Sequence, residues 1–284
     1  MSTLYYRNRK NRKKGYDPVK KTASILLSLI LVLGCLLSGC SGGSADVAYK
    51  APSEPSEPSD PSESDGCVLR GEIIDVYDGS VLLCPENGEL CTVGISGIPL
   101  VGEDGAELSA SDISVGMLVD VAFSGVVLET YPSQLSAPDK LTVTGRSNGL
   151  VGFYFDAICD IIQDGAGLSE NISVVSADLS RAANLTDAQR AALAYMTGCK
   201  LGCDWLSLSY KELCDEGYID SEALIFEDGV LISASTADGS VKDDRFDFDL
   251  EIWRSGLGAV FFKDCTAKLK NGIWSYEVGS YGIS

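Results

Sequence analysis

The sequence predicts a multidomain protein in which an all-β small barrel is followed by an α+β domain with helices packed on a curved antiparallel sheet. Two observations carry this prediction. Short apolar runs separated by Asp-Gly and Asn-Gly turns fill residues 67–146, a spacing typical of small all-β domains. Residues 149–284 instead contain helical patterns first and strand patterns afterwards, which predicts helices on one face of an antiparallel sheet.

The chain begins with a cationic segment that runs into an uncharged one. Residues 1–39 carry eight Lys or Arg and one acid, and residues 22–39 carry no charge. This order is typical of an export signal peptide, so we expect residues 1–39 to be one. An uncleaved membrane anchor is the alternative, although these 18 residues barely span a bilayer of about 30 Å. Because Lys and Arg stay on the cytoplasmic side, both interpretations place the later residues outside.

A short motif ends the apolar segment. It consists of Leu37, Ser38, Gly39 and Cys40, and it resembles the lipobox of bacterial lipoproteins. The resemblance implies a diacylglyceryl thioether on Cys40, removal of residues 1–39 and a lipid-anchored location at the extracytoplasmic face of the cell membrane. Cys35 ends a weaker copy, because the bulky Leu33 stands where a small residue is preferred.

Residues 40–66 are predicted to be the lipidated cysteine and a flexible spacer. Residues 51–66 repeat Pro-Ser-Glu or Pro-Ser-Asp. This composition cannot bury a core, and proline with like charges keeps the chain extended. We therefore expect the segment to hold the folded part away from the membrane.

Residues 67–146 contain five predicted strands, with turn signals at Asp78-Gly79 and Asn87-Gly88 and the longest connection after the third strand. This pattern fits an OB-like small barrel. The run VGMLVDVAFSGVVLETYPSQLSAPDKLTVTG also resembles the C-terminal half of an OB-like domain of unknown function found on exported proteins of Gram-positive bacteria. The resemblance implies no catalytic activity.

Residues 149–284 begin with helices. Val151, Phe155, Ile158 and Ile162 share one helical face, and Thr186 with Gln189 form a predicted capping box before a second helix that ends at Gly198. A short third helix follows.

Strand patterns fill the rest of this domain. We predict hairpins at Asp228-Gly229 and Asn271-Gly272, and a strand over RFDFDLEIW with its apolar residues on one face. The element order and the closing AKLKNGIWSYEV hairpin resemble the cone-shaped folds of the nuclear-transport-factor-2 and ketosteroid-isomerase superfamily. The end of the chain also resembles the end of uncharacterised lipoproteins from clostridia-like bacteria. No activity follows from either resemblance.

Composition excludes several functions. The chain contains no histidine, which removes His-based acid-base catalysis, Ser-His-Asp triads and His-containing metal sites. The whole chain carries a net charge of −19 and residues 1–39 carry +7, so the remaining 245 residues carry −26. Nucleic acid repels such a body. We therefore predict no catalytic residues, no cofactor and no nucleic-acid partner.

Eight cysteines follow Cys40, and three interpretations of them are open. They are reduced core thiols, or they form one or more disulfides as expected outside the cell. The third interpretation is a Cys-only zinc site, which would use Cys199, Cys203, Cys214 and Cys265.

The densest acidic feature is DDRFDFDLE. In a strand, Asp247, Asp249 and Glu251 share the face opposite the apolar row. Like charges in a row repel, so a bound cation such as Ca²⁺ would relieve them. A solvated strand face is the simpler interpretation.

The function expected from these observations is non-catalytic binding or scaffolding at the cell envelope. The membrane is reached through the lipid anchor, and the other partner is an unknown protein, peptide or glycan. The alternatives are a carboxylate-dependent envelope enzyme acting on glycan or peptide, and an inhibitor or stress-response interaction module.

Overall fold

The computed structural model describes residues 67–284. The predicted signal peptide over 1–39, the spacer over 40–66 and the lipobox residues Leu37, Ser38, Gly39 and Cys40 therefore lie outside the described residues. Residues 67–284 all belong to one compact unit, and it contains two β-sheets and three α-helices within the described part of the chain.

The first sheet has eight strands in the order β4-β8-β5-β1-β2-β3-β7-β6. The strands are β1 Cys67–Tyr77, β2 Ser80–Pro85, β3 Cys91–Gly94, β4 Leu100–Val101, β5 Met117–Phe123, β6 Val127–Leu128, β7 Ser133–Leu135 and β8 Pro138–Arg146. The predicted hairpin at Asp78-Gly79 is confirmed, because Tyr77 pairs with Ser80. Gly79 has a φ of +76°, which this tight turn requires and which other residues rarely adopt.

The sequence predicted an all-β, OB-like small barrel for this region, and the structure has an open, mixed β-sheet there. β3 pairs parallel with β7, and β4 pairs parallel with β8. The ladder ends on each flank in a strand of two residues, β4 and β6, so no edge-to-edge pairing closes the ring. β7 and β8 lie in opposite halves of the sheet order, although only residues 136 and 137 separate them along the chain. The sheet must therefore curl strongly.

Both faces of β2 are buried, with every residue from Val81 to Pro85 shielded from solvent. Val81 and Leu83 enter the core of the first sheet. Leu82 and Cys84 enter a second, larger core that also contains the helices. This two-sided burial explains why β2 is continuously apolar rather than alternating.

The second half of the chain combines helices with a seven-stranded sheet in the order β10-β9-β11-β12-β13-β14, with β15 also on β13. Its helices are α1 Leu150–Asp164, α2 Asp187–Leu201 and α3 Tyr210–Asp215. Its strands are β9 Val174–Arg181, β10 Asp204–Leu206, β11 Gly229–Thr236, β12 Arg245–Ser255, β13 Gly258–Lys270, β14 Ile273–Glu277 and β15 Ser280–Ile283.

The second sheet is mixed, whereas the sequence predicted an antiparallel one. β9 runs parallel to both β10 and β11, because helical segments return the chain to the same end of the sheet before β10 and before β11. The predicted hairpin at Asp228-Gly229 is wrong. The preceding loop buries Phe226 against Gly229, and a Cβ atom on Gly229 would stand 2.4 Å from the Phe226 ring. β11 begins at Gly229.

The predicted helical features are largely confirmed. Val151, Ile158 and Ile162 are buried, and Phe155 is partly buried against the same core. Thr186 and Gln189 form the predicted capping box, although α2 continues beyond Gly198 and ends at Leu201. The predicted turn at Asn271-Gly272 joins β13 to β14.

Aromatic side chains fill the space between α1 and the inner face of the second sheet. Phe153 of α1 lies 5.4 Å from Phe246 and 5.6 Å from Phe248, measured between ring centroids. Tyr154 stacks on Phe246 at 5.8 Å, and its hydroxyl donates to Asn184 at 2.8 Å. This packing commits the apolar face of β12 to the inside and its polar face to the outside.

A carboxyl group is buried where the first sheet meets α2. Glu72 of β1 is 7% exposed. Its Oε1 accepts a hydrogen bond of 2.5 Å from the Ser147 hydroxyl, and Gln189 of α2 also hydrogen-bonds to it. Desolvation raises the pKa of Glu72 in spite of both hydrogen bonds, because burial penalises the charged form.

This carboxyl predicts a pH-dependent stability. The pKa of Glu72 is higher in the folded state than in the unfolded state. The free energy of unfolding therefore falls as the pH rises above the unfolded-state pKa of Glu72. We expect Glu72→Gln, which keeps the acceptor for Ser147, to raise the free energy of unfolding at pH 7. The gain should vanish at about pH 3 and below, where Glu72 is protonated in both states. Urea unfolding at several pH values measures the difference in free energy of unfolding between Glu72→Gln and wild type. A difference that is the same at all pH values would contradict the prediction.

Candidate functional site

The outer face of the second sheet carries the polar side chains of its central strands. Along β12, Asp249, Glu251 and Trp253 alternate with buried residues, and along β11 the outward positions are Leu231, Ser233 and Ser235. Because side chains alternate between the two faces of a strand, these positions follow from the burial of the aromatic row inside.

Strand register brings these side chains together in rows. Asp178 of β9 pairs with Ser233, and Ser233 pairs with Glu251. In the next row, Ser235 pairs with both Arg181 and Asp249. The rows form the floor of a cleft of about 360 Å³, which we call the outer-face cleft. Its lining residues are Asp178, Arg181, Tyr210, Leu231, Ser233, Ala234, Ser235, Asp249, Leu250, Glu251, Trp253 and Lys263.

Two aromatic rings close one end of the outer-face cleft. Tyr210, the first residue of α3, packs edge-on against Trp253 with ring centroids 5.2 Å apart. A capping box fixes the start of α3, because the Ser209 and Glu212 side chains bond to each other's backbone N–H groups. Leu213 anchors the helix in a small core with Leu231 and Phe226. Tyr210 is thereby held at the cleft with 38% of its surface exposed.

The charges in the outer-face cleft are largely compensated by the chain itself. Lys263 Nζ lies 3.4 Å from Asp249 Oδ2 and 3.9 Å from Glu251 Oε2. The backbone N–H of Asp264 donates to Asp249 Oδ1 at 2.9 Å. Burial raises the pKa of Glu251, Lys263 opposes that shift and Asp249 adds to it.

The predicted acidic row is divided by the structure. Asp249 and Glu251 line the outer-face cleft, whereas Asp247 lies beyond it and binds the Thr266 hydroxyl at 2.8 Å and Arg245 at 3.5 Å. The relief that a bound cation would supply is therefore provided by Lys263 and Arg245. Within residues 67–284, no group of three or more acidic or thiol side chains is placed to hold a metal ion.

The cysteines form no disulfide among the described residues, and Cys199, Cys203, Cys214 and Cys265 do not gather into a metal group there. Burial raises the pKa of the Cys84 and Cys91 thiols to about 12 and that of Cys265 to about 11. Because the thiolate is the reactive form, these groups are packing residues rather than nucleophiles.

A second cleft, of about 590 Å³, lies between α1 and the β14–β15 region. Tyr276 donates its hydroxyl to Asp160 there at 3.0 Å. No Lys or Arg lines it, so it offers a ligand fewer kinds of polar partner than the outer-face cleft does. In the part of the chain that the structure describes, no helix has the length and apolarity needed to cross a bilayer.

Sequence reasoning found Asp249 and Glu251 but missed the rest of the outer-face cleft. Ser233 and Ser235 alternate with apolar residues in β11, so the sequence pattern could have placed both serines on the outer face. Asp178 and Arg181 carry no such signal, because only the parallel pairing of β9 with β11 brings them to the site.

Lys263 provides a test of the electrostatics of the site. We expect Lys263→Gln to raise the pKa of Glu251 further, because the neighbouring positive charge is lost while burial and Asp249 remain. Lys263→Arg, which keeps the charge, should leave the pKa close to its wild-type value. Carboxyl NMR titration of Glu251 measures both, and equal pKa values in Lys263→Gln and wild type would contradict the assigned ion pair.

Comparisons of this chain with protein-family models, curated proteins and solved structures find no match. What the outer-face cleft binds is therefore inferred from its own side chains. The lipobox, OB-like and cone-fold resemblances of the sequence remain predictions.

Proposed function

We propose that this protein is an extracytoplasmic lipoprotein that binds a small polar ligand, without catalysis, in the outer-face cleft. A lipid on Cys40 holds it at the outer face of the cell membrane, and residues 40–66 act as the tether. One observation carries the binding role, namely a concave polar floor of charged and hydroxyl groups that ends at the Tyr210–Trp253 aromatic pair. A few convergent polar groups beside aromatic surface are typical of ligand sites.

The filled interior of the second half supports binding rather than catalysis. The space between helices and sheet, where a cone-shaped enzyme would hold its substrate, is occupied by Phe153, Tyr154, Phe246 and Phe248. The absence of histidine from the sequence supports the same proposal, because it removes the commonest acid-base group.

The proposal includes an OB-like arrangement of the first sheet. If β7 and β8 are one interrupted strand, that strand lies parallel to β3 and antiparallel to β5. β1 lies between β2 and β5. This order is the one expected of a five-stranded, partly open OB barrel.

One observation favours a second candidate, a carboxylate-dependent enzyme acting on glycan or peptide. Burial raises the pKa of Glu251, and Ser233 stands between it and Asp178 in the strand register. A raised pKa suits a general acid. Product formation from a bound glycan or peptide that Glu251→Gln abolishes would favour this candidate over binding alone.

The binding role predicts a ligand-dependent rise in melting temperature. At a ligand concentration 100 times Kd, binding adds about 2.7 kcal/mol, or roughly 5–10 °C for a domain of this size. We would screen Ca²⁺, glycans and cell-wall peptides by thermal shift. Ser233→Phe, which fills the cleft from a half-buried position on the floor, should lose the shift.

The matched control is Ser275→Phe, which adds the same bulk at an exposed strand position of β14 outside the cleft. It should keep the full shift. A shift that survives Ser233→Phe, or no shift with any of the three ligand classes, would count against binding in the outer-face cleft.

The anchor predicts a change in mass. Cys40→Ala should abolish lipid modification, because the thioether needs the Cys40 sulfur, whereas Cys35→Ala should keep it. Mass spectrometry of the membrane fraction distinguishes the two variants. A lipid-modified Cys40→Ala protein would show that the wrong cysteine was chosen.

A further inference from the structure

We propose that the ligand of the outer-face cleft is a neutral glycan whose sugar ring packs against the Tyr210–Trp253 pair. This inference rests on the proposed binding function and names the ligand class for the same site.

The charge balance of the outer-face cleft favours an uncharged ligand. Three carboxylates and two cationic side chains line it, and Lys263 lies within 4 Å of two of the carboxylates. The formal charge of the cleft is therefore −1, although the whole chain carries −19. Beside Lys263, Asp249 and Glu251, a charged ligand would have to compete with ion pairs that already exist, whereas a neutral ligand would not.

The hydrogen-bonding groups of the floor match sugar hydroxyls. One row of the register places the Ser233 hydroxyl between the acceptors Asp178 and Glu251. The donor Arg181 lies in the next row, and the donor Lys263 lies beside Asp249 and Glu251. A sugar hydroxyl both donates and accepts, so each can pair with either kind of neighbour.

The backbone of the floor argues against an extended peptide. β11 lies between β9 and β12 and is hydrogen-bonded to both, so its N–H and C=O groups are already used. Strand-like peptide binding needs a free sheet edge for main-chain hydrogen bonds. The outer-face cleft instead offers side chains alone, which suits a ligand that carries its own ring of polar groups.

The aromatic end provides an apolar surface for the C–H groups of a sugar ring. Tyr210 stands edge-on to Trp253 and is 38% exposed. Tyr218 is a useful comparison, because it is similarly exposed at 44% and packs against Phe226 outside the cleft. The volume of about 360 Å³ lies at the small end of the range for ligand sites and fits a short glycan segment.

The experiment measures the Kd of the full-length protein in detergent by calorimetry. The separate probes are neutral, acidic and amino-substituted oligosaccharides and cell-wall peptides. We expect neutral oligosaccharides to bind best, with Kd changing less than about twofold between low and high salt. Tyr210→Ala should weaken binding roughly two- to tenfold, because it removes the aromatic surface that the sugar ring contacts, and Tyr218→Ala should not.

Glu251→Gln should weaken binding of the same probe while Asp247→Asn, on the same face but beyond the cleft, should not. Urea unfolding checks that each variant folds, and Ser233→Phe replaces Tyr210→Ala if that variant does not. If peptides or charged glycans bind best and Ser233→Phe blocks them, the assignment of a neutral glycan is overturned and the proposed binding function stands. If no probe binds in the outer-face cleft, both the neutral-glycan assignment and the proposed binding function are overturned.

Discussion

The packing of α1 against the inner face of the second sheet is the constraint on which the site depends. Phe246 and Phe248 of β12 meet Phe153 and Tyr154 of α1 in a single aromatic core. A shift of one residue in β12 would move these rings into solvent and bring Asp249 and Glu251 inside. The apolar core therefore determines the face on which the polar groups of the outer-face cleft are displayed.

Two cationic side chains of the same chain offset the repulsion between the carboxylates along β12. Lys263 lies on the neighbouring strand β13, and Arg245 lies at the start of β12. Together they compensate the acidic row that would otherwise attract a cation. This leaves a nearly balanced polar floor on a strongly acidic body, and it directs the proposed function toward a neutral ligand.

Local patterns predicted local structure well. The capping box at Thr186, the hairpin at Asn271-Gly272 and the apolar row of β12 depend on residues close together in the chain, and each is confirmed. The hairpin at Asp228-Gly229 failed because Phe226 packs onto Gly229 and draws the loop over the sheet. The chain still turns at Glu227 and Asp228, but the residues before the turn place Phe226 in a core instead of pairing with β11 as a strand.

The sequence by itself determined the strand faces, the charge distribution, the absence of histidine chemistry and the two acidic residues of the site. Only the tertiary structure decided that β9 lies parallel to β11, and hence that Asp178 and Arg181 join Ser233, Ser235 and Glu251. The physical reason is that alternation is set by the backbone of one strand, whereas the lateral order of strands is set by which apolar faces pack around a shared core.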